Sequence, residues 1–115
     1  MGLPGAEKAE ITQDKIVRYL LSTTHRAGRS KAAFFGKHGF KVEDWQALAE
    51  ALRAHAAENA VTSVEETLYG TRYVVDGTLS APDGSGLNVR SVWFINRRTS
   101  VPRFATAHPL KRKSP

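Results

Sequence analysis

A chain of 115 residues with 41% hydrophobic and 24% charged residues is the size of one globular domain with one core. It has no cysteine, which excludes a disulfide framework, and no run approaching the roughly 20 apolar residues of a membrane span. Lysine and arginine outnumber aspartate and glutamate 17 to 11, so the net charge is +6 and a polyanion, foremost RNA, is the expected ligand.

Residues 1–10 mix glycine, proline and charge without periodicity and read as a flexible leader, without the apolar core of a signal peptide; a soluble, cytoplasmic protein is expected. Thr12 is placed to cap a helix running to about Ser22, with Ile16, Val17, Leu20 and Leu21 as its buried stripe. The segment THRAGRS breaks that pattern, and Ser30 is placed to cap a short helix, KAAFFGKH, which Gly39 ends in a left-handed conformation. Glu43 and Asp44 then favour the start of a third helix, on which Trp45, Leu48, Ala49, Leu52 and Ala56 recur at helical spacing as far as about Glu58.

Beyond Asn59 the period becomes alternating. Strands are expected at 64–69, 72–81, 87–96 and 104–108, and the run PDGSG predicts a hairpin between the second and third. The pattern implies an α+β fold: about three N-terminal helices packed on one face of a four-stranded antiparallel sheet. The domain is expected to span 11–109, with a basic disordered tail at 110–115. In the last strand, alternation groups Phe104, Thr106 and His108 against Arg103, Ala105 and Ala107. Small alanines suit packing on helices, so Thr106 and His108 are expected on the open face.

The excess charge is clustered. Between His25 and Lys41 there are five cations and no acid, and between Arg97 and Lys113 six cations and no acid. No Walker loop, dinucleotide fingerprint, zinc spacing or nucleophile elbow is present, and no carboxylate pair stands out, so no cofactor or metal is expected. The remaining residues suit metal-free cleavage of RNA by its own 2′-hydroxyl. That reaction needs a base, an acid and a cation beside the crowded phosphorane. His25 and His108 offer acid/base groups, Lys31 a cation and Thr106 a hydrogen-bond donor; Arg29, Ser30 and Arg103 are phosphate-binding candidates. Each has a plainer reading as a solvated surface residue. His38 is read as serving its helix end and His55 as a core or boundary residue. Of Trp93 and Phe94, which alternate across one strand, one is core and the other is open to stack on a base.

The stretch HRAGRSKAAFF at 25–35, followed by GKHGF, resembles a family of small bacterial domains of unassigned activity. Its members read His-Pro-x-Gly-x-Ser-Lys-Ala-x-Phe-Phe, then Tyr-Gly, then Thr-Ala-Tyr-Pro. The chain supplies Tyr69-Gly70, Val92-Trp93 and Thr106-Ala107-His108-Pro109, so the match spans roughly 11–109. The ending also looks like that of contact-dependent inhibition toxins, and the helices-then-sheet order resembles the barnase, EndoU, colicin and RelE group of metal-independent ribonucleases. That resemblance implies His25 and Lys31 acting against Thr106, with a small antitoxin or immunity protein as partner. Arg26 replaces the family proline and His108 the family tyrosine. The alternatives are a non-catalytic module binding nucleic acid or protein and a structural accessory domain.

Overall fold

The computed structural model describes residues 2–21 and 29–110, with Tyr19, Arg29 and Ser30 described by backbone alone. Helix α1 (Gln13–Lys15) is capped as expected: the Thr12 hydroxyl accepts from the Lys15 amide at 3.2 Å. It continues as a π-helical turn over Ile16–Leu20, where the Leu21 amide reaches back five residues to the Ile16 carbonyl at 2.7 Å. The wider turn brings Ile16, Leu20 and Leu21 all into the core.

Helix α2 (Arg29–Lys37) starts one residue before Ser30, so Ser30 lies in its first turn rather than preceding it. Its end is the one the sequence announces. Gly39 adopts φ 101°, the Phe40 amide bonds the Phe35 carbonyl and the Gly39 amide that of Gly36. The Phe35 and Phe40 rings pack edge to face at 6.0 Å across the turn. After a 3₁₀ turn (Val42–Asp44), helix α3 (Trp45–Glu58) buries Leu48, Ala49, Leu52, His55 and Ala56 along one stripe. No helix among the described residues is long and apolar enough to cross a membrane.

Four strands follow, β1 (Val61–Glu66), β2 (Gly70–Ser80), β3 (Gly86–Asn96) and β4 (Arg103–Pro109), paired antiparallel in the order β1-β2-β3-β4. The β2–β3 hairpin turns through Ala81–Ser85, where the Asp83 carboxylate accepts from the Ser85 amide at 2.9 Å. That bond holds its carboxyl below the usual range. His38 Nδ1 lies 3.1 Å from Asp83 Oδ2, which ties the end of α2 to this turn. The inner face carries Val75, Leu79, Val89, Trp93, Phe104 and Ala107 into one core with the helices, the α+β arrangement expected.

Besides the Ser30 cap, β1 starts three residues before the expected 64–69 and ends at Glu66, which leaves Leu68 and Tyr69 in the turn to β2, and two more expectations need correction. The segment read as a flexible leader is built into the fold: Leu3, Ala6 and Ala9 are buried, and Glu10 pairs with β4 through its backbone. Its glycines and proline disguise three apolar anchors. Strict alternation also fails in β4. Val92 faces Thr106 but Trp93 faces Phe104, so Ala105 is an extra, bulged residue. Phe104 therefore shares the inner face with Ala107, its ring 5.4 Å from Trp93, while Thr106 and His108 look outward. The tail at 111–115 lies outside the described residues.

Candidate active site on the outer face of the sheet

The strand register lays the outer face out in rows. Asp76, Arg90 and His108 face one another across β2, β3 and β4; Val74, Val92 and Thr106 form the next row; Arg72, Phe94 and Arg103 the third. Neighbours in a row lie about 5 Å apart, and Thr106 and His108, two residues apart on one strand, about 7 Å. Thr62, Arg72, Asp76, Arg90, Thr106 and His108 border an open hollow of about 410 Å³, floored by Val74 and Val92.

Lys31, in the first turn of α2, reaches over the edge of the sheet, and its Nζ donates to Thr106 Oγ1 at 3.1 Å. This joins the two basic stretches across 75 residues. Arg90 donates from Nε and Nη2 to the two Asp76 oxygens at 2.8 and 2.9 Å, a bidentate pair that holds the Asp76 carboxyl below its ordinary range. His108 is half-buried. Burial first, then the positive charges of Lys31 and Arg90, push its pKa below the ordinary 6.5, with Asp76 opposing. A neutral imidazole flanked by cations is a base that remains unprotonated at neutral pH.

Of the residues expected at the site, Lys31, Thr106 and His108 come together. Arg103 lies on the same face one row away, exposed, with its Nε 3.9 Å from Glu10. The bulge puts it there, where strict alternation had assigned it to the opposite side. His25 lies outside the described residues, and only the backbone of Arg29 and Ser30 is placed, in the first turn of α2. Sequence reasoning missed Asp76 and Arg90. The PDGSG turn contained the signal, since a hairpin pairing Ser80 with Gly86 sets 76 opposite 90.

His55 is a core residue. Its Nε2 donates toward the Gly77 and Val89 carbonyls at 3.1 and 2.9 Å, while Nδ1 accepts from the Ser91 hydroxyl at 3.0 Å. Ser91 in turn accepts from Trp93 Nε1 at 2.8 Å. Burial pushes the His55 pKa down, and no buried side-chain polar atom among the described residues lacks a partner. Among those residues no three His, Cys, Asp or Glu side chains are grouped to hold a metal ion.

Among curated proteins, none matches the sequence. Among solved structures, a chain of the contact-dependent growth inhibition toxin–immunity protein complex from Klebsiella pneumoniae 342 is similar, with a TM-score of 0.69 and 18% identity. The match covers 87% of this chain and 98% of that one, and at such identity the likeness is one of fold. A family described as a domain of unknown function, DUF6883, matches residues 2–111, nearly the full length, and the chain belongs to that family.

Proposed function

We propose that the outer face cleaves RNA without a metal ion, as a toxin-like endoribonuclease acting through the 2′-hydroxyl. The observation that carries this reading is the Lys31–Thr106 hydrogen bond beside a depressed His108, which makes an ammonium, a hydroxyl and a neutral imidazole converge. A phosphate oxygen entering between Lys31 and Thr106 accepts from both. His108 removes the 2′-hydroxyl proton, the 2′-oxygen attacks phosphorus, and Lys31 stabilises the charge that builds on the phosphorane. The 5′-oxygen leaves with a proton from His25, giving a 2′,3′-cyclic phosphate and a free 5′-hydroxyl. Arg29, Ser30 and Arg103 bind flanking phosphates.

The fold likeness to a chain of a toxin–immunity complex supports the toxin-like setting, with cytoplasmic RNA as target and a small immunity or antitoxin protein as neutralising partner. It equally favours a second reading, a module that binds nucleic acid or protein without chemistry. Incubation with total bacterial RNA in EDTA separates the two. Wild-type chain should release discrete fragments ending in 2′,3′-cyclic phosphate, and Lys31→Ala, Thr106→Ala, His108→Ala and His25→Ala should each lose them while RNA affinity stays within a few-fold. Intact RNA with a cooperatively folded wild type would sink the enzyme and leave the binding module. In that case charge removal at Arg72, Arg90 and Arg103 should weaken binding and flatten its salt dependence.

A further inference from the structure

The end of the sheet away from the hairpin turn at 81–85 carries the most exposed large apolar side chains among the described residues. Leu68 is 81% and Tyr69 75% exposed, side by side in the β1–β2 turn. The connection after β3 lies against them, so that Leu68, Tyr69, Asn96, Arg97 and Arg98 line one hollow of about 350 Å³ with no carboxylate in its wall.

This turn is braced from several directions. The Thr67 hydroxyl donates to the Gly70 carbonyl at 2.9 Å and accepts from the Tyr69 and Gly70 amides, both at 3.2 Å. Arg97 donates from its amide to the Tyr69 carbonyl and from Nη2 to the Thr67 carbonyl, each at 3.2 Å. Gly70 sits so close to the Ile95 carbonyl and the Phe94 ring that a Cβ there would collide with both. Two apolar side chains are thus held out in water on a fixed frame, which lowers the ordering cost of burying them against a partner.

We propose that this tip is a docking site for a protein that offers an apolar pocket rimmed by carboxylates. Tyrosine and arginine are, with tryptophan, the side chains enriched among interface anchors, and the two arginines call for acidic complementarity around the pocket. The aliphatic Leu68 is what favours protein over nucleic acid, because a single strand is gripped by aromatic faces and cations and gains little from leucine. Arg72, two residues from Gly70, borders the outer-face hollow, but the Lys31–Thr106 edge is farther off, because Thr106 shares its row with Val74. Gly70 and Val74 are four residues apart on an extended strand, about 13 Å. A partner on the tip therefore leaves the Lys31–Thr106 edge accessible, and the inference does not rest on the nuclease reading.

The test uses the full chain made in its native cell with a photocrosslinking benzoylphenylalanine in place of Tyr69, and in place of the exposed Glu50 on α3 as control. One protein should be trapped from position 69 and not from position 50. The trapped protein, identified and purified, should bind wild-type chain with an affinity that falls with salt. Its Kd should rise at least about tenfold for Leu68→Ala and for Arg98→Glu, with unfolding midpoints unchanged. A nuclease-sensitive RNA adduct, a self-adduct, no adduct, or a partner indifferent to both substitutions would overturn the proposal.

Discussion

Each face of the sheet meets a histidine beside a hydroxyl residue, His55 of α3 with Ser91 on the inner face and His108 of β4 with Thr106 on the outer, and the two pairs have opposite surroundings. On the inner face His55 is enclosed: the Ser91 hydroxyl and the Gly77 and Val89 carbonyls take up its ring nitrogens, and Trp93 Nε1 in turn donates to Ser91. On the outer face His108 borders an open hollow with Thr106 beside it, and Lys31, Arg90 and Asp76 set its electrostatics. Burial lowers both pKa values, so a depressed histidine alone does not mark a site. The difference is access together with an unbalanced set of nearby charges. The inner histidine specifies how the sheet meets α3, and the outer one is available to a ligand.

That contrast is sharpest under substitution. His108→Ala should cut RNA cleavage by about 10²–10⁴-fold while leaving stability within about 1 kcal/mol, as single-turnover cleavage and urea unfolding would show. His55→Ala should do the reverse, costing about 2–4 kcal/mol in urea unfolding through lost packing and orphaned partners at Ser91 and two carbonyls. Equal stability losses in the two variants would erase the distinction. Gly70→Ala should cost about 1–3 kcal/mol, because its new methyl meets the β3 backbone, which has little room to yield.

Two smaller effects depend on protons. His55 and His108 both have folded-state pKa values below the ordinary 6.5, so the unfolded chain binds more protons than the native one as pH falls through 6.5. Stability from these residues is full above that pH and is lost on acidification towards and below the folded values, and thermal unfolding between pH 7.5 and 5 should show the decline. His55→Leu, if it folds, should flatten the dependence. Arg90→Gln removes one depressing cation from His108 and leaves Asp76 without its partner. The acid limb of the cleavage profile should therefore move to higher pH, with stability changed by no more than about 1 kcal/mol. An unmoved limb would mean that His108 is not the titrating base.

Local signals made much of the fold legible. Thr12 caps α1, Gly39 closes α2, and PDGSG sets the β2–β3 register, because each depends on a few adjacent residues. The segment before Thr12 reads as flexible because its anchors, Leu3, Ala6 and Ala9, are sparse and become apolar contacts only once α3 and β4 are in place. The π turn at Ile16–Leu20 leaves no composition signal, since it widens a helix whose residues suit an ordinary one. At the site, residue types were legible and geometry was not. Lys31 and Thr106 were nameable from chemistry and resemblance, but their 3.1 Å contact depends on where α2 crosses the sheet edge. The Asp76–Arg90 pair depends on strand register, which single residues do not display.

The bulge at Ala105 also changes how β4 can vary. Upstream of it the strand is anchored to the segment around Glu10 and to Trp93; downstream, Pro109 faces Val89 and the Leu110 amide holds the Asn88 carbonyl at 2.8 Å. One spare residue between two anchored stretches works like an expansion joint. Deleting Ala105 itself closes the joint: the pairing must then swing either Phe104 out of the core or His108 into it, so one lost codon at that position exchanges the two faces of the strand.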